Sequence, residues 1–218
     1  MTLPERDFTT LVPAPGRGQY DRRQPREARL LEQKARLLSA TALAVARSAE
    51  ATIADVVKVA GVSRNTFYEY FDDLAHARAA AVQRAEHRLA TALRGAEEQT
   101  RTPVERWRAL SHAFMSWVTA APADALLCLE GVRPGLSGAG RALEKAFSRS
   151  LSIVRASGVR AQDQDGLRVV ALAATGEAFA RRIVAEQWGN PPPEPARLER
   201  ERERVERALA DAAVRLLR

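Results

Sequence analysis

The apolar spacing of α-helices runs along nearly the whole chain, and this periodicity restricts the fold more than any other feature of the sequence. Apolar residues recur at i, i+3, i+4 and i+7, as in the stretch that contains Leu30, Leu37, Leu38 and Val45. No segment alternates apolar and polar residues as a half-buried strand does. Alanine, leucine, arginine and glutamate, which have the highest helix propensities, are abundant. We therefore predict an all-α protein.

Capping residues and prolines divide the chain into about nine predicted helices. Thr52 and Asp55 stand three residues apart, as in a capping box before the second helix, and Gly61 suits the left-handed position after that helix. The next three helices start with residues that favour helix N-termini, namely Ser63, Asp73 and Pro103. The predicted helices span 26–48, part of 51–61, 64–70, 74–100, 103–120, 123–132, 141–156, 163–188 and 194–218, with a loop at 133–138 and closing signals at Gly158 and 189–193.

Positive charge is concentrated towards the N-terminal end. The 218-residue chain carries a net charge of +7 from 34 Lys and Arg against 27 Asp and Glu. Residues 1–24 are rich in proline and glycine with little apolar periodicity, so we predict a flexible basic arm. The basic residues in and before the second and third helices run from Arg17 to Arg29 and include Arg36, Arg47, Lys58 and Arg64. This pattern favours a polyanionic partner.

Several classes of protein are disfavoured by what the sequence lacks. Cys128 is the only cysteine, which excludes an internal disulfide and a multi-cysteine zinc site. The three histidines do not form a metal-binding spacing, so we expect no metal and no cofactor. The sequence has no Gly-rich phosphate loop, no HExxH and no GxSxG, and we expect no enzyme activity. No apolar run approaches the about 18–20 residues of a membrane helix and no signal peptide is present, so we expect no membrane partner and a cytoplasmic protein.

The most informative stretch is 52–71, where two short predicted helices are joined by a tight turn. Gly61 supplies the turn and Val62 the apolar residue that holds the corner of a helix-turn-helix. The predicted buried side consists of Ile53, Val56, Val57, Ala60, Phe67 and Phe71. The second helix then displays residue types that hydrogen-bond base edges and phosphates, namely Arg64, Asn65, Thr66, Tyr68 and Tyr70.

These residues resemble the DNA-binding domain of the TetR (tetracycline-repressor) family over residues 34–78. The family pattern is carried by Thr52, Val56, Val57, Ala60-Gly61-Val62-Ser63, Thr66-Phe67-Tyr68 and Tyr70-Phe71. There are two departures: Leu74 stands where the family usually has a lysine, and Val57 where alanine is commoner. The resemblance implies a flexible arm at 1–24, a helix-turn-helix three-helix head at 25–75 and a helical effector-binding and dimerisation body at 76–218.

The resemblance also implies roles for individual residues. Ser63, Arg64, Asn65 and Thr66 would begin the recognition helix, with Arg64 contacting either a guanine edge or only the DNA backbone. Thr52 would hold a phosphate beside the helix dipole. Tyr68 and Tyr70 would contact phosphates or pack in the core. The arm would follow the backbone, enter the minor groove or form a disordered tail.

The last two helices are the expected homodimer interface. Small residues lie in the eighth helix, namely Ala171, Ala174, Thr175, Gly176 and Ala178, and the ninth carries the stripe Leu198, Val205, Leu209, Leu216. The alternative is that these stripes close the core of the monomer.

The resemblance implies that the body between the head and these helices encloses a small-molecule effector site, and such pockets in helical bundles are mainly apolar. The candidate pocket residues are Trp107, Phe114, Met115, Trp117, Cys128, Phe147 and Phe179, with His112, Glu177 and Arg181 as polar anchors. The alternative is plain core for the apolar set and a surface position for the polar one. The sequence thus predicts a dimeric regulator, most often a repressor, that an apolar effector releases from a palindromic double-stranded operator. The alternative is a ligand-binding or adaptor protein of the same fold with weakened DNA binding.

Overall fold

Nine α-helices account for most of the chain that the structure describes. The structure is a computed structural model that describes residues 26–130, 137–156, 165–187 and 194–215. In chain order the helices are α1 (Arg26–Arg47), α2 (Ile53–Ala60), α3 (Arg64–Tyr68), α4 (Leu74–Glu98), α5 (Pro103–Ala120), α6 (Pro122–Leu129), α7 (Gly138–Ala156), α8 (Asp165–Gln187) and α9 (Pro195–Arg215). These residues contain no strand, so the all-α prediction is confirmed. The predicted arm, Gly158, Trp188 and Leu216 lie outside the described residues.

Local capping chemistry sets most of the helix starts that the sequence predicts. The Thr102 side chain accepts the backbone N–H of Glu105, and Pro103 occupies the first turn of α5. Asp73 Oδ1 accepts the backbone N–H of His76 at 2.7 Å at the start of α4. The loop predicted through Gly138 was wrong at its end, because the Ser137 hydroxyl caps the backbone N–H of Gly140 and α7 therefore begins at Gly138.

The chain divides into two compact units between Arg84 and Ala85, so α4 contributes its first part to one unit and its remainder to the other. This division lies inside α4 rather than at residue 75, where the resemblance places the end of the head. In the first unit, fully buried apolar side chains come from α1, α2, α4 and residues 63–71, which we call the α3 region. These side chains are Leu37, Leu43, Val56, Phe67, Phe71, Ala77 and Ala81. Arg84 also crosses from α4 to α1, where its Nη1 donates to Ser39 Oγ at 2.8 Å.

The second unit has its own core, built mainly from aromatic and leucine side chains. The fully buried members are Leu89, Leu93, Trp107, Leu110, Phe114, Met115, Leu129 and Phe147. Polar groups in this core are paired across helices. The Trp107 indole N–H donates to Ser150 Oγ at 2.7 Å, and Arg88 Nη1 lies 2.8 Å from Asp124 Oδ2. Within the ranges that the structure describes, no helix is long and apolar enough to span a membrane.

Candidate functional site

A left-handed glycine makes the corner between α2 and α3. Gly61 has φ 64° and ψ 36°, and its backbone N–H donates to the carbonyl of Val57. The N–H of Val62 donates to the same carbonyl at 3.1 Å. A residue in the left-handed conformation reverses the chain at the end of a helix, and glycine adopts this conformation readily because it has no Cβ. The chain can therefore turn at once into α3, as the helix-turn-helix pattern predicts.

The start of α2 is closed by a complete capping box. Thr52 Oγ1 accepts the backbone N–H of Asp55 at 3.3 Å, and Asp55 Oδ2 accepts the backbone N–H of Thr52 at 2.8 Å. The same carboxylate oxygen accepts the Thr52 hydroxyl at 2.7 Å. The hydrogen bonds from the Thr52 side chain and backbone lower the pKa of Asp55. The hydroxyl expected to hold a phosphate is thus exposed, but its proton is directed to Asp55.

The short helix α3 presents polar side chains outwards and one aromatic ring inwards. Ser63 Oγ accepts the backbone N–H of Thr66 at 3.1 Å and caps the helix. Arg64 and Asn65 are exposed, whereas Thr66 is half-buried. Tyr68 is 55% exposed, so it does not belong to the core. α3 therefore exposes Arg64, Asn65 and Tyr68, which are three of the five hydrogen-bonding residues that the sequence analysis assigns to it.

Two phenylalanines anchor α3 from below. Phe67 and Phe71 are buried, and their ring centroids lie 5.5 Å apart. Val56 and Ala60 of α2 are buried as predicted, whereas Ile53 and Val57 are only half-buried. Fewer α2 side chains are thus fully buried than the sequence pattern predicts, because α2 is a short helix of about two turns at the surface of this unit.

Tyr70 differs from Tyr68 in its surroundings. It lies beyond the end of α3, is half-buried, and donates its hydroxyl to Gln33 Oε1 of α1 at 3.0 Å. Burial raises its pKa. The phosphate contact expected of Tyr70 would need the same hydroxyl proton that Tyr70 donates to Gln33. Gln33 is the residue that sequence analysis missed, because no local pattern links two side chains this far apart in the chain.

The charges around α3 are mixed. Lys58 and Arg64 are exposed, whereas Arg36 pairs with Glu32 at 3.2 Å and Arg47 is half-buried. Arg17, Arg22 and Arg23 of the expected basic footprint lie outside the described residues. At the start of α4 the half-buried Leu74 follows two exposed aspartates, Asp72 and Asp73. The two residues directly before α4 are therefore acidic.

The seven candidate effector residues lie in or at the edge of the second unit's core. Six are buried and Phe179 is half-buried. The rings of Trp107 and Phe147 pack with centroids 5.5 Å apart. Trp117 is 7% exposed, and its indole N–H has no hydrogen-bond partner in the part of the chain that the structure describes. Burial, with the nearby charges of Glu86 and Asp124, raises the pKa of the Cys128 thiol to about 12.

The three candidate polar anchors occupy different positions. The exposed His112 of α5 lies with Nδ1 2.9 Å from Glu206 Oε2 of α9. Glu177 is buried, and its Oε2 accepts the backbone N–H of Ser137 at 2.9 Å. Arg181 pairs with Glu177 at 2.7 Å and donates to the Leu129 carbonyl. His112 therefore ties two helices at the surface, and Glu177 ties α8 to the start of α7.

Two of the four residues in the predicted apolar stripe of α9 pack inside their own unit, which for them is the alternative that the sequence analysis left open. Val205 and Leu209 are buried, and Leu198 is half-buried. Gly176 of α8 is also buried, and it packs so closely that a Cβ added there would lie 2.7 Å from Leu143 Cδ2. By contrast, the small residues Ala171, Ala174, Thr175 and Ala178 are exposed on α8, and Leu167 is 74% exposed.

Among the described residues, no group of three or more His, Cys, Asp or Glu is placed to hold a metal ion.

No family model matches the sequence, and no curated protein matches it. Solved structures resemble the chain in fold. The fatty acid degradation regulator FadR from Bacillus halodurans has a TM-score of 0.63 at 16% identity, with 81% of this chain and 97% of that chain covered. A TetR-family transcriptional regulator from Pectobacterium atrosepticum has a TM-score of 0.56 at 19% identity, covering 85% and 96%. A gamma-butyrolactone receptor described as ArpA-like has a TM-score of 0.57 at 19% identity, covering 83% and 99%.

Proposed function

We propose that this chain, which has the fold of the TetR-family transcriptional regulators, is a dimeric, sequence-specific DNA-binding regulator without enzyme activity. The observation that carries the proposal is the outward face of α3. A capped five-residue helix follows a left-handed glycine and exposes Arg64, Asn65 and Tyr68 while Phe67 is buried. A helix of this kind reads base edges in the major groove with its first residues.

In this proposal the exposed residues have distinct roles. Arg64 contacts a guanine, since a guanidinium matches the two acceptors of that base. Asn65 and Thr66 follow it in the groove, and the exposed hydroxyl of Tyr68 binds a phosphate. Thr52 and the first backbone N–H groups of α2 face another phosphate, where the helix dipole favours negative charge. Ser63 holds the start of α3 through its bond to Thr66.

The proposal is tested by selecting a duplex with the full-length protein from a random-sequence library. We expect an inverted repeat whose affinity falls steeply with salt, because phosphate contacts release counterions. The control is a shuffled duplex of the same length and composition. If selection recovers no common sequence and the protein binds both duplexes equally at every salt concentration, the proposal fails.

Dimerisation is the second part of the proposal, since one short helix contacts too few base pairs for useful specificity. The exposed side of α8 supports it, because large and small apolar residues lie together there: Leu167, Val170, Ala171, Ala174 and Ala178. Small residues allow two helices to approach closely. Val205 and Leu209 of the α9 stripe are buried, so in this proposal α9 contributes its outer charged side, which includes the exposed Arg200, Glu203, Arg204 and Arg207.

A charge on the α8 face tests the interface. Ala174→Glu places a carboxylate among the exposed apolar residues and should convert a dimer into a monomer in analytical ultracentrifugation. Ala79→Glu, at an exposed alanine of α4, is the matched control and should leave the mass unchanged. A wild-type protein that sediments as a monomer at micromolar concentration would contradict this part of the proposal, as would an Ala174→Glu variant that stays dimeric.

The third part is release from DNA by a small, largely apolar effector, with repression as the resulting mode of control. The support is the apolar second unit and the unpaired indole N–H of Trp117, since an unpaired buried donor costs about 1–3 kcal/mol that an oxygen acceptor of a ligand would recover. The gamma-butyrolactone receptor of the same fold is named for a small lactone. Effector and operator must weaken each other by the same factor.

Reciprocal binding tests this part. A panel of lactones and fatty acids is titrated against the protein with and without its selected duplex, and wild type is compared with Trp117→Phe, which keeps an aromatic ring but lacks the N–H. We expect one compound to lower operator affinity and to bind Trp117→Phe more weakly. A compound that binds tightly and leaves operator affinity unchanged is not the effector, and a panel of only such compounds would refute release.

A second candidate function is a ligand-binding or adaptor protein with weak DNA binding. The observation that favours it is the start of α4, where the exposed Asp72 and Asp73 precede Leu74, which stands where the family that the sequence resembles usually has a lysine. Leu74→Lys separates the two candidates. A variant that gains specific DNA binding absent from the wild type would favour the adaptor, whereas a wild type that already binds tightly would exclude it.

A further inference from the structure

A hydrogen bond between Tyr70 and Gln33 joins the end of the helix-turn-helix to α1. The Tyr70 hydroxyl donates to Gln33 Oε1 at 3.0 Å across 37 positions of sequence. Both side chains are half-buried, so water competes with this bond less than at the open surface. The bond closes the end of the helix-turn-helix onto the first helix.

The other contacts that hold α3 are less directional. Phe67 and Phe71 bury their rings beneath α3, but apolar packing is non-directional and tolerates small rotations of a five-residue helix. The N–H of Tyr70 donates to the carbonyl of Phe67 at 3.0 Å, which fixes the backbone of the turn and not its orientation towards α1. A hydrogen bond to a neighbouring helix supplies the missing constraint, because its strength falls steeply away from linear geometry.

We infer that Gln33 is a positioning residue for DNA recognition, which holds α3 at its reading angle through the Tyr70 hydroxyl. The inference rests on the proposed DNA-binding function. It also changes the role of Tyr70 from a phosphate contact to an internal brace. A phenol has one proton to donate, and a phosphate oxygen offers only acceptors, so the hydroxyl cannot donate to Gln33 and to phosphate at the same time.

A double-mutant cycle tests the brace. Tyr70→Phe and Gln33→Leu each remove the bond and keep a side chain of similar size, and the double variant removes both partners. Affinity is measured for the selected duplex and for a shuffled duplex well below the unfolding midpoint of every variant. We expect each single change to lower the ratio of specific to shuffled affinity by about three- to tenfold, the range of one lost hydrogen bond. The double variant should lose no more than either single variant.

Two further variants separate positioning from simple loss of stability. Gln33→Glu keeps an acceptor for the Tyr70 hydroxyl and adds a charge that repels every DNA alike, so it should lower both affinities but restore the ratio. Gln83→Leu changes an exposed glutamine of α4 and should leave the ratio as in wild type. A change in unfolding midpoint alone, with the ratio constant in all variants, would overturn the inference.

The outcomes that contradict the brace differ from those that contradict DNA binding. If Tyr70→Phe lowers affinity for both duplexes while Gln33→Leu has no effect, or if the two effects add, the hydroxyl acts on phosphate and the inference is overturned. If the wild type shows no preference for any selected duplex, the proposed function itself fails and the inference fails with it.

Discussion

Replacing Gly61 by alanine perturbs the corner between α2 and α3 by a mechanism that the structure defines. Gly61 is the one described residue with a positive φ, at 64°. A residue with a Cβ in this left-handed region costs about 1–2 kcal/mol. Alanine also restricts the unfolded chain, which returns about 0.4–1 kcal/mol. We therefore expect Gly61→Ala to lower the free energy of unfolding by about 1 kcal/mol, or the melting temperature by about 2–4 °C for a chain of this size.

Gly95 provides a matched control within the same protein. It lies inside α4 with a φ in the ordinary range, and a Cβ added there would meet no atom within 4 Å. Gly95→Ala should therefore raise the free energy of unfolding by about 0.5–1 kcal/mol, because alanine is the better helix former. The two glycine-to-alanine changes are thus expected to have opposite signs.

Urea denaturation followed by circular dichroism at 222 nm measures both variants. The reasoning requires a lower midpoint for Gly61→Ala and a higher one for Gly95→Ala, with unchanged slopes. It is refuted if Gly61→Ala is as stable as the wild type, since the residue would then tolerate a Cβ and the left-handed corner would not exist in solution. A fall for both variants would refute the account of Gly95.

Three further predictions concern buried or capping groups. Ser150→Ala leaves the Trp107 indole N–H unpaired and should cost about 1–3 kcal/mol in urea denaturation, whereas Ser152→Ala on the exposed side of α7 should cost under about 0.5 kcal/mol. Because the pKa of Asp55 is lowered in the folded protein, its contribution to stability is present above the unfolded-state pKa and is lost as pH falls through the folded-state pKa. The difference in melting temperature between wild type and Asp55→Ala should therefore narrow from pH 7 to pH 3. With its pKa raised to about 12 by burial, Cys128 should resist a disulfide reagent at pH 8 in the native protein and react at once in guanidinium, and rapid native labelling would contradict its burial.

Local signals in the sequence predicted the helix starts well, because a cap involves residues three positions apart. The capping box of Thr52 and Asp55, the caps at Ser63 and Asp73, and the left-handed Gly61 all appear in the structure as the sequence indicates. These features depend on hydrogen bonds within one turn of chain. The order of the nine helices in the described ranges could therefore be predicted without knowledge of the tertiary packing.

Contacts between distant helices could not be predicted in the same way. The spacing of Val205 and Leu209 is the same whether the stripe faces its own core or a second subunit, and only the tertiary packing shows that these two side chains are buried within the chain. Tyr68 and Tyr70 have the same chemistry and lie two residues apart, yet one is exposed and the other is bonded to Gln33. Periodicity predicts which side of a helix is apolar, but it does not predict which part of the protein or which partner packs against that side.

The exposure of Arg64 at the start of α3 leads to the most direct test of DNA reading by this chain. The measurement is the affinity of wild type and Arg64→Ala for the selected duplex and for all of its single-base-pair variants. We predict that Arg64→Ala loses discrimination of about 1–3 kcal/mol at one base pair in each half-site and keeps the preferences at the other positions. An equal loss of affinity for every duplex would show that Arg64 contacts only the backbone and would contradict base reading by α3.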